Sequence, residues 1–221
     1  MTGLKNDYIH IQSGHTVTYG GSQTLSGKKA IRDCGCGLVA AADLILYLSR
    51  RQGFASPVAE NAGGSYELSS YNAFLDLLRR YMPIIPRFGI NGAVLAAGLQ
   101  IALRTHGLKH SVRLCISGVK LWDRVRFMLE KDYPVILAIG PNLPMFWGKN
   151  GLKLYSRRID GGYSPAAHAK AHFVTATGID GDWCRISSWG RELYINIPEY
   201  NAYVKKHSSS LVSNIIMLSE K

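Results

Sequence analysis

Residues 33–51 read DCGCGLVAAADLILYLSRR, and this stretch decides the fold. A short turn of small residues carries two thiols, Cys34 and Cys36, and runs directly into the most apolar helix-like segment of the chain. A thiol at a helix N-terminus lies near unpaired N–H groups and the positive end of the helix dipole. That environment favours the thiolate, which is the nucleophilic form of cysteine. The stretch therefore predicts a reactive cysteine at the start of a helix.

The segment after the thiols has the apolar spacing of a helix that is buried on most sides. Apolar residues recur at intervals of three and four positions, at Leu38, Ala41, Ala42, Ile45 and Leu48. Asp43, Tyr47 and Arg50 fall on the other side of the helical wheel. We expect a central helix over residues 37–51 that ends at Gly53.

The composition indicates a globular protein with a buried core. The chain has 221 residues, of which 47% are hydrophobic and 19% charged. This length suits one large domain, or two small halves that share a cleft. No run approaches the roughly 18 apolar residues of a membrane span, and the N-terminus lacks an apolar signal core. We therefore expect a cytoplasmic protein with no membrane span.

The net charge and the cysteine pattern indicate which partners, disulfides and metals to expect. The net charge is +11, but the basic residues are scattered in pairs along the chain. This favours a solvated basic surface that attracts acidic partners over a nucleic-acid groove. The four cysteines are too few and too scattered for a disulfide framework, and they lack the spacing of a zinc site. No metal and no cofactor are therefore expected, and the sequence does not define the oligomeric state.

The remaining pattern predicts an α+β fold in which helices come first and a meandering sheet comes last. Further helices are expected at about residues 70–81, 91–106 and 117–131, the last one capped by Ser117. Strands are expected at residues 111–116, 133–139, 173–179, 183–188, 192–197 and 214–218, with one or two more within residues 1–30. We expect a single domain with a helical half at about 30–131 and a β-rich half at about 133–221.

Two other segments connect these elements. Asp180-Gly181-Asp182 is a strong signal for a turn between two strands. Residues 140–171 are rich in Gly, Pro, Asn, Lys and Arg and indicate a long loop.

A nucleophilic thiol needs a base that is distant in sequence and close in space. His172 stands at the entry of an apolar strand, where a fixed backbone would hold its ring. His168 falls in the predicted loop, and the others have polar or helix-end contexts that indicate surface positions: His10, His15, His106, His110 and His207. A third group usually orients such a base, and Ser187 and Ser188 are at the matching place across the predicted hairpin.

With these residues in place, the sequence resembles the papain-like cysteine peptidases. That family has a thiol that opens its central helix, followed later by a Pro-Val strand, a long loop, a histidine before a strand, a strand ending in Asn-Ser-Trp-Gly, and a further strand. Here YPVILAI at 133–139, AHFVTATGI at 171–179, WCRISSWG at 183–190 and ELYINI at 192–197 occur in the same order. The resemblance covers about residues 30–53 and 117–197. It is nearest to the bacterial branch that removes double-glycine leader peptides, as in bacteriocin processing.

The thiol turn fits that family in two registers. Counting from Cys36 aligns the small residues and Tyr47 of the helix, whereas counting from Cys34 aligns only the Asp-Cys-Gly triplet. Cys36 is the favoured nucleophile and Cys34 the alternative. The resemblance assigns the role of base to His172 and that of orienting residue to Ser187, with Ser188 as the alternative.

Two positions depart from the family pattern. The family carries a glutamine a few residues before the thiol, whose amide helps to bind the oxyanion. Here Ala30 lies six residues before Cys36 and Lys28 six before Cys34, so Gln23 would need a longer loop. A serine replaces the orienting Asn or Asp, and it brings no charge to the imidazole.

The sequence therefore predicts a cysteine peptidase, a hydrolase that attacks peptide amide bonds through a Cys36–His172 thiolate–imidazolium pair. Its partner would be a peptide or protein substrate. Two alternatives remain open. One is a catalytically inactive papain-like domain that binds peptide or protein, and the other is an acyltransferase on the same fold.

Overall fold

The computed structural model describes residues 1–116, 118, 120–140 and 151–220. Within them the helices are α1 (Lys29–Cys34), α2 (Cys36–Gln52), α3 (Leu68–Leu78), α4 (Gly92–Thr105), α5 (Leu121–Glu130) and α6 (Ile197–His207), with a short 3-10 helix at Gln23–Leu25. The strands are β1 (Thr2–Gly3), β2 (His10–Ser13), β3 (Thr16–Tyr19), β4 (Tyr66–Glu67), β5 (His110–Cys115), β6 (Val135–Ile139), β7 (Leu152–Arg157), β8 (Tyr163–Ala169), β9 (His172–Asp180), β10 (Trp183–Ser188), β11 (Arg191–Asn196) and β12 (Ile215–Glu220). The protein is α+β, as predicted.

One large antiparallel sheet dominates the described structure. Its strand order is β5-β12-β6-β9-β10-β11-β7-β8, and β1 also pairs with β9. A second, three-stranded sheet has the order β3-β2-β4. β5 and β1 precede the predicted β-rich half, yet both belong to the large sheet, so the helical and β-rich halves are not separate in space.

Helix α2 is the buried centre of the molecule. It begins at Cys36, and every residue from Gly37 to Ser49 is buried. It ends at Gly53, whose φ of 66° gives the left-handed helix stop expected of a glycine. The predicted polar side of the helix is also buried, since Asp43 and Tyr47 are each 1% exposed. This differs from the prediction because partners from distant parts of the chain cover that side.

The other differences lie mostly at element ends. Helix α3 begins and ends earlier than predicted, and α5 begins at Leu121, after a Lys120 with φ of 59°. The predicted cap, Ser117, lies outside the described residues. The prediction of a loop over 140–171 is wrong for its second part, which forms the β7–β8 hairpin, while residues 141–150 are outside the described part of the chain.

No helix in the described ranges has both the length and the apolar character that crossing a bilayer requires.

Candidate active site

The two thiols of the turn occupy different helical positions. Cys34 is the last residue of α1, whereas Cys36 is the first residue of α2. Gly35 joins them, and a Cβ at this position would lie 2.5 Å from the backbone oxygen of Ile31, so only glycine fits. The tight link lets α2 start immediately after α1, which leaves Cys36 at the N-terminus of the central helix.

His172 lies at the first position of β9, where its backbone pairs with Ile139 of β6. Its ring stacks on the ring of Trp189, with centroids 4.4 Å apart and planes 19° apart. Its Nε2 atom is 2.8 Å from Ser188 Oγ. The ring is thus held by a flat apolar contact and one hydrogen bond.

The serine that contacts His172 is Ser188, not Ser187. Ser187 Oγ instead donates a hydrogen bond to the backbone oxygen of Tyr19, at 2.9 Å. The alternative orienting residue, Ser188, therefore makes the contact with the ring, and Ser187 does not. Adjacent residues of a strand point to opposite faces, so only one of the two serines can face the ring edge.

Cys36 and His172 line one cavity, together with Gln23, Ser188 and Trp189. The cavity volume is about 10 Å³, which is room for about one water molecule. The structure therefore brings the predicted thiol and base together in one small site.

The family's spacing before the thiol did not select Gln23, yet Gln23 lines the cavity. It is buried at the start of the 3-10 helix, thirteen positions before Cys36, and it reaches the cavity because α1 is inserted between them. Its side-chain Nε2 donates to the backbone oxygen of Arg32 at 2.9 Å. The signal available in the sequence was that Gln23 is the nearest glutamine before either thiol.

Burial controls the protonation of the thiol and the imidazole. It raises the pKa of Cys36, although hydrogen bonds from the Phe173 and Gly37 backbone lower it in part. Burial also lowers the pKa of His172 to about 4. Both shifts favour uncharged groups. Both shifts disfavour the predicted thiolate–imidazolium pair, because desolvation acts against the helix N-terminus.

A second ionisable group, Asp43, lines the same cavity. It lies two helical turns after Cys36, and it accepts hydrogen bonds from Tyr71 Oη at 2.7 Å, Tyr8 Oη at 3.0 Å and the Gly21 backbone N–H at 3.1 Å. Burial raises its pKa to about 6, while these three donors act in the opposite direction. The sequence placed Asp43 on the polar side of the helix and gave it no role.

The other candidate residues lie away from this cavity. Cys184 is buried in β10 and Cys115 is half-buried in β5, so both serve as small apolar packing residues. His110 was expected at the surface, but it is 5% exposed and its Nε2 contacts Gln52 and Tyr133. His168 lies on β8 rather than in a loop. No group of three or more His, Cys, Asp or Glu in the described ranges is arranged to hold a metal ion.

No protein-family model matches the sequence, and a comparison with curated proteins finds no match. Among solved structures, the fold is similar to the peptidase domain of Streptococcus ComA, a bifunctional ABC transporter involved in a quorum-sensing pathway. The TM-score is 0.42 at 11% identity, over 89% of this chain and 97% of that one. It is also similar to a candidate C39-like peptidase from Bacillus anthracis, with a TM-score of 0.47 at 12% identity over 100% and 98% of the two chains. Identities this low do not show which family this chain belongs to.

Proposed function

We propose that this protein is a papain-like cysteine peptidase that hydrolyses peptide amide bonds, with Cys36 as nucleophile and His172 as base. The observation that carries the proposal is the shared cavity. A thiol at a helix start, an imidazole anchored through Nε2 and a glutamine amide line the same space. These are the three functions that acyl transfer from an amide needs: a nucleophile, a base and an oxyanion donor.

Ser188 is the orienting residue in this proposal. When Nε2–H donates to Ser188 Oγ, Nδ1 is left unprotonated and can accept a proton. The stack on Trp189 fixes the plane of the ring while the hydrogen bond fixes its rotation. A neutral hydroxyl selects the tautomer without adding charge, which agrees with a histidine that is neutral at rest.

The reaction begins when Cys36 Sγ attacks the amide carbonyl carbon and the thiol proton moves to His172. Because both groups are neutral at rest, the proton transfer accompanies the attack. The oxyanion is held by the Cys36 backbone N–H and the Gln23 amide, of which one N–H is already fixed by Arg32. His172 then protonates the leaving amine, and a thioester remains on Cys36. Water attacks the thioester with His172 again as base, and the acid product leaves.

The substrate in this proposal is a peptide or protein segment. The net charge of +11 favours a substrate with acidic residues through long-range attraction. If an amine replaces water in the second step, the same thioester gives an acyltransferase.

A catalytically inactive domain that binds peptide or protein is the second candidate. The observations that favour it are the small size of the cavity, about 10 Å³, and the burial that raises the pKa of Cys36. A hydrolytic site must seat an extended peptide against the thiol, whereas a binding module can use the surrounding surface alone.

The test is cleavage of a peptide library derived from a digested bacterial proteome, with new termini read by mass spectrometry. We expect cleavage by the wild type, loss of at least about 1,000-fold in Cys36→Ala, and retention in Cys34→Ala. Cleavage that survives in Cys36→Ala contradicts the proposal. Peptide binding without cleavage by the wild type selects the inactive domain, and transfer to an added amine in place of hydrolysis selects the acyltransferase.

A further inference from the structure

Asp43 is a buried carboxylate that the proposed reaction does not use. Its two oxygens accept hydrogen bonds from Tyr71, Tyr8 and the Gly21 backbone N–H, and the last of these reaches both oxygens at 3.1 Å. Burial destabilises an ionised carboxylate, because the charged form loses its hydration and the neutral form is favoured. The three donors come from three different parts of the chain, so Asp43 ties all of them to α2.

The main-chain partner of Asp43 belongs to a segment that leads to the site. We call residues 19–23 the strap. Gly20 lies between Asp43 and Ser187, since a Cβ added there would be 2.6 Å from Asp43 Oδ2 and 2.2 Å from Ser187 Oγ. Two residues beyond Gly21 the strap reaches Gln23 at the cavity. The backbone that Asp43 holds at Gly21 is therefore two residues from the proposed oxyanion donor.

The strap is also hydrogen-bonded to the corner that holds His172. The Tyr19 backbone N–H donates to the Gly190 oxygen, and the Gly190 N–H donates to the Gly21 oxygen, both at 3.0 Å. Trp189, which stacks on His172, immediately precedes Gly190. One segment thus links Asp43 to both sides of the cavity.

Within the described part of the chain, the hydrogen-bond donors to Asp43 are neutral groups. The titratable groups around it are Tyr8 ahead of β2, Tyr19 on β3 and Tyr71 on α3, together with Cys36 and His172 in the cavity, and β10 presents Ser187, which does not titrate. Burial raises the pKa of each tyrosine, so all are neutral near pH 7. When Asp43 takes up a proton, one of its oxygens becomes a donor. The phenols can rotate to accept from it, whereas the Gly21 N–H, which reaches both oxygens of the carboxylate, keeps only the unprotonated oxygen, a weaker acceptor.

We propose that Asp43 is a positioning residue whose ionised carboxylate holds the strap against α2, so that Gln23 is in place only while Asp43 is ionised. The inference deepens the proposed peptidase function and rests on it. It adds acid sensitivity to the site. Burial raises the pKa of Asp43 to about 6, so the strap loosens as the pH falls through that value.

The first test needs no substrate. The Gly21 backbone N–H and the Gln23 side-chain amide are followed by ¹H–¹⁵N NMR from pH 8 to pH 4.5. We expect both signals to move with one midpoint near 6 in the wild type, and with no such midpoint in Asp43→Asn. The midpoint should rise in Tyr71→Phe and in Tyr8→Phe, because each phenol lowers the pKa of Asp43.

The matched control is Asp132→Asn. Asp132 is also buried, and it also binds α2, through Tyr47. It accepts hydrogen bonds from the Lys5 backbone N–H and Asn6 Nδ2, both at 2.7 Å, and it does not line the cavity. We expect this variant to keep the wild-type midpoint. The inference is overturned if Gln23 does not follow Gly21, if the midpoint persists in Asp43→Asn, or if Tyr71→Phe leaves it unchanged.

The second test is the pH profile of kcat/KM for peptide cleavage. The wild type should lose activity below about pH 6. This acidic limb of the profile should move to higher pH in Tyr71→Phe. Asp43→Asn should lack the limb and lose about tenfold in kcat/KM at pH 7.5 through misplacement of Gln23. The two proposals can fail separately. If there is no cleavage, the NMR test still decides whether Asp43 controls the strap, whereas cleavage without linked NMR midpoints removes the positioning role alone.

Discussion

Burial and the helix dipole act in opposite directions on the charge of Cys36, which lines the same cavity as His172. A helix N-terminus stabilises a nearby negative charge by about 0.3–1 kcal/mol when exposed, and by up to about 2 kcal/mol in favourable buried geometry. Removing a thiolate and an imidazolium from water costs more than this when the cavity holds only about one water molecule. The pair is thus expected to be neutral at rest, with His172 becoming charged only as Cys36 attacks the substrate.

The two neighbouring serines give a test of how His172 is oriented. We expect Ser188→Ala to reduce kcat/KM about fivefold, which corresponds to the net value of one hydrogen bond of about 1 kcal/mol. The ring should then lose its preference for the tautomer protonated at Nε2, which ¹⁵N shifts of the His172 ring report directly.

Ser187→Ala serves as the control for that experiment. Its hydroxyl donates to the Tyr19 oxygen, so we expect it to lower the free energy of unfolding by about 1 kcal/mol and to leave the His172 tautomer unchanged. A tautomer shift in Ser187→Ala, with none in Ser188→Ala, would restore the original assignment of Ser187.

Sequence patterns placed Cys36 at a helix start and His172 at a strand start, which is where the structure has them. Their roles as nucleophile and base stay predictions. Gln23 was missed because α1 lengthens the path between it and the thiol. Asp43 was placed outward because helical spacing shows which side is polar, not which distant donors cover that side.

At the scale of elements, α2 and the β9–β11 meander were predicted well. The sequence signals of both are strong and local. Helix α2 has regular apolar spacing, and the β9–β11 meander has an Asp-Gly turn between two strand-like segments. The β7–β8 hairpin was missed because its second strand carries Pro165 among small residues and its first has a register shift after Leu154. Proline is tolerated there because β8 lies at the edge of the sheet.

The strap gives a test at this scale, because its close approach to α2 and β10 requires a residue without a side chain. Gly20 has a φ of 72°, and an added Cβ would lie 2.2 Å from Ser187 Oγ. We expect Gly20→Ala to lower the free energy of unfolding by about 3 kcal/mol, from backbone strain and overpacking together. Urea denaturation measures the change.

Gly14→Ala is the matched control, because it separates the two causes. Gly14 also has a positive φ, of 57°, but a Cβ there meets nothing within 4 Å. Gly14→Ala should lower the free energy of unfolding by only about 1 kcal/mol, because it adds backbone strain alone. Equal losses in the two variants would mean that the strap is not packed tightly against Ser187 and Asp43.

At the scale of the molecule, the large sheet draws on the whole length of the chain. Strand β12, near the C-terminus, lies between β5 and β6, so it connects the predicted helical half to the predicted β-rich half. Sequence patterns indicated both sets of elements, but strand order depends on pairing between distant segments, which local spacing does not encode. If the chain is a single domain, as predicted, its two halves should unfold in one cooperative transition.

We expect the two halves to unfold together. Far-UV circular dichroism reports strongly on α2, α3 and α4, whereas all four tryptophans follow residue 121, so their fluorescence reports on the later part of the chain. In a urea titration both signals should give one midpoint, as a single cooperative unit requires.

Ile216→Ala makes this test sharper, because Ile216 pairs with Leu114 of β5 and with Ile136 of β6 and is 1% exposed. Its truncation should cost about 3 kcal/mol and lower both midpoints equally, since the lost contacts belong to both halves. Ile159→Ala makes the same chemical change at a fully exposed side chain, so it should leave both midpoints in place. If Ile216→Ala instead separates the two midpoints, each half has a stability of its own. The strap, which joins α2 to the corner at Gly190, would then cross a boundary between two units.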